Sequence, residues 1–374
     1  MRVLIAGHSL SEMGGVQTYE RDLASWLLAR GHSPIVYGTE LGDAAGELVR
    51  RTIPVTDDLR SVAAPIDVIH GDSPLETMTA LLHFPETPAL FVCHGWGSLA
   101  AITPRFPRIV RYVAVDDTCA DRLLLREGIP PEKVSVMLNA VDIDAFRQRV
   151  PLPAKPRRAV VFSNVAHELT FLPVIREACR RASIDLEVIG AVAGTSAVHP
   201  EAILGDYDIA FAKAKCAMEA MACGLAVILC DVAGIGGMVR STDLDRLRRL
   251  NFGVRALGKP LSADTIQAEL ARYDPDDARL VSDRIRETAP SDALHESLLA
   301  MYESVIAEHA RSGVKGDWLA ESRAASAFLH DLARKERQRE RDTWTLAKAS
   351  HRVLHMPVIG PVSGRLLRWL IPRP

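Results

Sequence analysis

The sequence predicts an α/β protein with two doubly wound, Rossmann-like domains facing a cleft and a helical, basic tail behind them. Three observations lead there. Short, uninterrupted apolar runs alternate with helically spaced apolar residues as far as about residue 230, the pattern of strands buried on both faces of a parallel sheet. The alternation breaks once, at Val150-Pro151-Leu152-Pro153-Ala154-Lys155-Pro156, where three prolines in six residues make a stiff, extended connector. The length, 374 residues, is roughly that of two domains.

In chain order, Arg2–Ala6 reads as the first strand. Val16, Tyr19, Leu23 and Leu27 follow at helical spacing, with Gly31 where a helix C-cap belongs. Ser33–Tyr37, Asp67–His70, Ala89–Cys93, Ile109–Val115 and Lys133–Leu138 are further strand-length runs. Beyond the connector, Arg158–Phe162 is a strand and His167–Ala182 a helix. Asp185–Gly190, Tyr207–Ala212 and Leu225–Cys230 are strands, with a helix centred on Met218 before the last. Helical segments run from about 262 to 310. The expected division is 1–150, 157–310 and a C-terminal extension, 311–374.

Composition narrows the function classes. At 48% hydrophobic and 25% charged, the chain is neither disordered nor fibrous. No apolar run approaches the ~20 residues that span a bilayer, and the start, MRVLIAGHS, lacks the layout of a signal peptide. Six scattered cysteines without a C-x-x-C pair indicate neither a disulfide framework nor a zinc site and fit a reducing, cytoplasmic setting. The net charge of −2 is unevenly spread: residues 331–374 carry +6 and the rest −8. A basic tail on an acidic body points to an anionic partner, a membrane surface or a polyanion.

Four segments carry candidate chemistry. In Gly7-His8-Ser9-Leu10-Ser11-Glu12-Met13-Gly14-Gly15-Val16, a glycine pair opens a helix and lets backbone N–H groups approach an anion. The spacing is that of neither a dinucleotide loop nor a P-loop, and a plain strand–helix turn explains it as well. In Lys213-Ala214-Lys215-Cys216-Ala217-Met218-Glu219, two lysines at a strand–helix junction could meet a diphosphate, and Glu219 could accept hydrogen bonds from a ribose diol. The alternative is a solvated Lys/Glu surface, but Met218, Ala220, Met221 and Ala222 are unusual company for an idle carboxylate. His94, directly after a buried strand in Phe91-Val92-Cys93-His94-Gly95-Trp96-Gly97, could orient or deprotonate an acceptor hydroxyl; a structural histidine in a glycine turn reads equally well. In Val134–Phe146, Asn139 suits a left-handed turn position.

Taken together these segments resemble glycosyltransferase family 4, retaining enzymes of the GT-B architecture. The Gly14-Gly15 loop resembles the family's N-terminal start, and His94-Gly95 is similar to its acceptor-side His-Gly. Asn139-Ala140-Val141-Asp142 with Phe146 resembles its Asn-Gly-Val-Asp…Phe stretch. Glu219-Ala220-Met221-Ala222-Cys223-Gly224 resembles the end of its donor motif, and Asp231 with Gly234 the loop after it. Two departures stand out. The donor motif's first glutamate would fall at Phe211, and the stretch Phe162–Glu168 lacks the family's Arg and Lys. Lys213 and Lys215 are the substitutes for that charge.

The resemblance implies metal-independent transfer of a sugar from a nucleotide diphosphate-sugar, with no resident cofactor, to a hydroxyl of a glycan, a lipid-linked or another acceptor, with retention of configuration. It assigns His94, Lys213 and Lys215 to catalysis and Gly14, Gly15, Asn139 and Glu219 to substrate binding. It implies a role in polysaccharide or glycan biosynthesis and gives no part to nucleic acid. A catalytically degenerate relative serving as a binding module remains open, favoured by the missing glutamate; a Rossmann dehydrogenase is disfavoured by the absent G-x-G-x-x-G. In the tail, Trp344, Leu346, Val353, Leu354, Leu366, Leu367, Trp369, Leu370 and Ile371 interleave with Lys348, Arg352, Arg365, Arg368 and Arg373, which suits an interfacial segment on the inner face of a membrane. A helix packed on the body or an oligomer contact is the alternative, and Pro357, Gly360 and Pro361 are expected to break the run.

Overall fold

In the computed structural model the described residues are 1–96, 102–195, 199–312 and 317–354, without the side chains of 312 and 346–354. Gly97 and the tail beyond Leu354, including its Pro/Gly breaks and terminal Leu/Trp/Arg cluster, lie outside them. The chain divides into two compact units: Met1–Gly97 with Arg108–Gly316, and Ser98–Pro107 with Asp317–Pro374.

The first unit holds two sheets. Seven parallel strands form the first: β1 (Arg2–Ala6), β2 (Ser33–Tyr37), β3 (Val55–Thr56), β4 (Val68–Gly71), β5 (Ala89–Cys93), β6 (Ile109–Ala114) and β7 (Val134–Val136), in the order β3-β2-β1-β4-β5-β6-β7. Helices α1 (Gly15–Ala29), α2 (Asp43–Arg50), α3 (Pro74–His83) and α4 (Asp117–Asp121) connect them. In register, β1 sets Ile5 against His70 and Ala6 against Gly71 of β4. The order reverses direction at β1, and ligands of such sheets bind beyond the carboxyl ends of the strands at that switch point.

The second sheet contains β8 (Arg158–Phe162), β9 (Asp185–Ile189), β10 (Ile209–Ala212), β11 (Ala226–Asp231) and β12 (Gly234–Met238), in the order β12-β11-β10-β8-β9. Its helices are α5 (Leu172–Ala182), α6 (Ala214–Ala222), α7 (Leu244–Arg249), α8 (Ala263–Leu270) and α9 (Pro275–Thr288). Strand alternation splits its core in two. Val160, Phe162, Ala210, Ala212, Val227 and Leu229 pack with α6, while Ala159, Val161, Ile209, Phe211 and Ile228 pack with α5 on the other face. Helix α10 (Ser291–Ser312) then runs back against β4, β5, β6 and α1 of the first sheet. In the second unit, α11 (Trp318–Leu354) carries the start of the basic tail and exposes Trp318, Leu319, Leu329 and Trp344. Among the described residues, no helix is long and apolar enough to cross a membrane.

Several expectations are corrected. The second sheet is mixed, because β12 turns back antiparallel on β11. The helix expected from His167 starts at Leu172; before it Thr170 closes a local turn, its Oγ1 accepting from the His167 N–H at 2.9 Å, and Pro173 occupies the first helical turn. Helices α2 and α3 were not anticipated. Asn139 is not left-handed; among the described residues, the non-glycine ones with positive φ are Thr52, Ser183, Ala214, Asn251 and Phe252.

Helices α1 and α6 end alike. Gly31 follows α1 at φ +79°, with its N–H on the Leu28 carbonyl and the His32 N–H on the Leu27 carbonyl. Gly224 follows α6 at φ +89°, bonded in the same way to Met221 and Ala220 through its own N–H and that of Leu225. These are Schellman caps, which only a residue without a Cβ adopts without strain.

Candidate functional site

A cavity of about 210 Å³ lies where the carboxyl ends of the two sheets meet. Three helix N-termini line it: Gly15 and Val16 of α1, Ala214 and Lys215 of α6, and Ser291, Leu294 and His295 of α10. Neither α1 nor α6 has a side-chain cap; the Ala214 N–H that opens α6 donates to the Phe252 carbonyl at 3.1 Å, and the N–H groups just after it, like the first ones of α1, are left for another acceptor. A Cβ at Gly15 would meet nothing within 4 Å, whereas Gly7 is pressed against the buried Glu20, whose Oε1 would sit 2.6 Å from a Cβ there. A Cβ at Gly7 would thus have to displace the Glu20 carboxyl, whereas nothing in the protein itself demands glycine at 15.

His94 lines the cavity from the end of β5. Its Nε2 lies 2.7 Å from Oδ1 of Asp72, which follows β4. The same carboxylate meets His70 Nε2 at 3.2 Å, and Tyr302 of α10 bonds His70 Nδ1 at 2.7 Å. Tyr19 packs edge-on against His94, ring centroids 4.9 Å apart. Burial alone would raise the Asp72 carboxyl, but His70 and His94 hold it down at about 2. Asp72 is therefore a fixed negative charge that orients the His94 ring. Beneath the Gly7 loop, burial first and the charge of Asp72 second push the Glu20 carboxyl well above its ordinary value.

The two lysines are placed differently. Lys215 lines the cavity and its Nζ lies 3.2 Å from Asp22 of α1. Against the effect of burial, Lys215 and Arg21 hold the Asp22 carboxyl below its ordinary value. Lys213, the residue before α6, is ion-paired with Asp231 at the end of β11 and does not line the cavity. Glu219 lies one turn beyond Lys215 on the same face of α6. It is 5% exposed. Burial pushes it up to about 7, with Lys215 opposing. Phe211, at the position of the expected first glutamate, is fully buried in the core layer facing α5, away from α6.

Asn139 also lines the cavity, and its carbonyl accepts from the Arg248 guanidinium at 2.6 Å. Burial lowers Arg248 to about 10. Two further ion pairs join second-sheet elements to α4: Arg249 with Asp117 and Arg255 with Asp121, both at 2.5 Å. Of the residues singled out in the sequence, Gly15, His94, Asn139 and Lys215 share the cavity; Gly14, Lys213 and Glu219 are not part of its lining. Sequence reasoning missed Asp22, Asp72, Asn251 and His295. Asp72 was within reach, because it follows a buried strand as His94 does. Asn251 and Phe252 are adjacent left-handed residues, with φ of +52° and +50°, an arrangement that costs on the order of 1–3 kcal/mol per residue. Among the described residues, no group of three His, Cys, Asp or Glu side chains is placed to hold a metal ion.

Residues 13–145 match the model of Glycosyltransferase Family 4. The fold is similar to that of a glycosyltransferase from Rickettsia africae (TM-score 0.60, 15% identity, 82% of this chain and 98% of that one). It is also similar to Anabaena HepE, whose structure contains UDP and glucose (TM-score 0.58, 13% identity, 81% and 100%), and to sucrose-phosphate synthase from Thermosynechococcus elongatus (0.53, 13%, 82% and 99%). These likenesses establish the GT-B fold. No curated protein matches the chain in sequence.

Proposed function

We propose that this chain, a member of glycosyltransferase family 4 through residues 13–145, transfers a sugar from a nucleotide diphosphate-sugar to an acceptor hydroxyl with retention of configuration. The observation that carries the reading is the convergence of the uncapped α1 and α6 N-termini, with Lys215, on one cavity that His94 also lines. Aligned helix N-termini and a lysine stabilise a diphosphate, and most strongly as it leaves and gains charge. Glu219 suits the ribose: its carboxylate, buried one turn beyond Lys215, accepts hydrogen bonds from a diol. His94, held by Asp72, orients or deprotonates the acceptor. Lys213 reaches a diphosphate only by exchanging Asp231 for it. HepE, of like fold, binds UDP and glucose.

Transfer needs no metal, and the product belongs to glycan synthesis. The enzyme works in the cytoplasm, a setting its six free cysteines suit, and its basic tail rests on an anionic membrane surface, which the exposed Trp318 and Trp344 of α11 favour. One observation supports a second reading, a binding module without turnover: Phe211 puts an apolar side chain where a donor-contacting carboxylate was expected. Thermal-shift measurements with UDP, GDP, dTDP and ADP, followed by hydrolysis and transfer assays, decide. A true nucleotide ligand at 100 times its Kd stabilises by about 2.7 kcal/mol. No shift with any of the four removes the donor site, and binding without hydrolysis or transfer selects the second reading.

A further inference from the structure

We propose that the Asn251 carboxamide and the His295 imidazole hold hydroxyl groups of the transferred sugar and so set which sugar the enzyme accepts. The inference rests on the nucleotide-sugar reading above and deepens it. Both side chains line the cavity, one from the turn after α7, the other from the second turn of α10. They are 7% and 4% exposed, and among the described residues neither Asn251 Oδ1 nor His295 Nδ1 has a hydrogen-bond partner. Unpaired polar atoms at that depth are costly unless a ligand completes them. Their neighbours on the cavity wall are already engaged: Lys215 with Asp22, and His94 with Asp72.

The chemistry fits a sugar. A carboxamide offers a donor and an acceptor together, and so does a neutral imidazole. Burial keeps His295 neutral, lowering it to about 4, and its ring is seated on Trp26 with centroids 5.5 Å apart. Phosphate oxygens only accept, so an uncharged donor–acceptor pair matches hydroxyls better. The placement agrees. Asn251 is delivered by the two left-handed residues, and the Phe252 carbonyl accepts from the Ala214 N–H at 3.1 Å, which ties this turn to the start of α6. With Glu219 one turn along α6 for the ribose and the diphosphate at its N-terminus, the sugar falls between Asn251, His295 and His94. The two residues supply the polar grip on the sugar that the apolar, core-facing Phe211 does not.

The test compares dissociation constants of bare and sugar-bearing nucleotides, UDP with UDP-glucose and UDP-galactose, and GDP with GDP-mannose, on the full chain. The variants are Asn251→Gly, which suits the positive φ, and His295→Phe, which keeps a ring on Trp26. Each is expected to lose about tenfold in affinity for the preferred nucleotide-sugar and to leave bare-nucleotide affinity unchanged. The preference of one UDP-sugar over the other narrows toward one. Equal losses for bare and sugar-bearing ligands overturn the proposal and return both residues to base binding or structure. Unchanged affinities overturn it too, as does a wild type that gains nothing from the sugar. A wild type that binds none of these nucleotides defeats the underlying reading, and this proposal with it.

Discussion

Glu219 is a buried carboxylate held near neutrality, and two effects follow from that single placement. Its folded value, about 7, lies above the ordinary 4.5. The group therefore contributes stability that is whole below about pH 4.5 and is lost as the pH rises through 7. Glu219→Gln removes the ionisation. In denaturant titrations without ligand, the variant should exceed wild type by up to about 3 kcal/mol above pH 7, with the gap closing below pH 4.5. A gap of the same size at both pH values would mean that charge burial is not its source. A ribose diol, by donating to the ionised form, reverses the preference, so the same variant should bind nucleotide about 1.5–3 kcal/mol more weakly at pH 8. Calorimetry with the nucleotide chosen by the thermal-shift panel checks this, and unchanged affinity removes Glu219 from the ribose.

Helices α1 and α6 do their work at their first turns. A methyl group at Gly15 meets no protein atom, whereas one at Gly190, just past β9, would collide with the Ser163 carbonyl oxygen. Gly15→Ala should therefore leave the melting temperature within a few degrees of wild type while weakening nucleotide binding, since the Cβ enters the path to the uncapped N–H groups. Gly190→Ala should do the opposite, destabilising by about 1–3 kcal/mol, the usual range for overpacking. A Gly15→Ala protein with full nucleotide affinity would show that the α1 N-terminus does not touch the ligand. The lysines at the start of α6 belong to the same element. An interaction made mainly in the transition state lowers kcat when lost, so Lys215→Ala should reduce turnover by about 10²–10³ with little change in nucleotide affinity. Lys213→Ala should cost less, because Lys213 is engaged with Asp231. If both retain full turnover, the charge on the leaving group is met elsewhere.

For the whole molecule, the basic tail is the feature with a reach beyond catalysis. Arg334, Arg337, Arg339 and Arg341 lie along α11, and none is in a cavity that the reaction uses. Each basic residue near an anionic surface is worth about 1 kcal/mol. Replacing all four by glutamine in the full chain should abolish most sedimentation with anionic vesicles at low salt and leave soluble-acceptor kinetics intact. Equal pelleting of variant and wild type would assign the tail to another role.

Much of the strand order in the chain was legible in the sequence, since apolar runs such as Ala89–Cys93 and Arg158–Phe162 are set by local burial alone. Gly31, which stops α1, was legible for the same reason: a left-handed cap is a local requirement. The antiparallel β12 was not, because Gly234-Ile235-Gly236-Gly237-Met238 has no strand signal of its own and is ordered by pairing with β11. Nor was the site as a whole. Gly15, His94, Asn139 and Lys215 each carried a mark in the sequence, yet their sharing of one cavity depends on α10 returning from the second sheet to the first. The residues no motif announced, Asp22, Asn251 and His295, matter through what lies across the cleft from them. A sequence determines which segments become strands and helices by nearest-neighbour chemistry; which polar atoms are left without partners is decided only when distant segments pack.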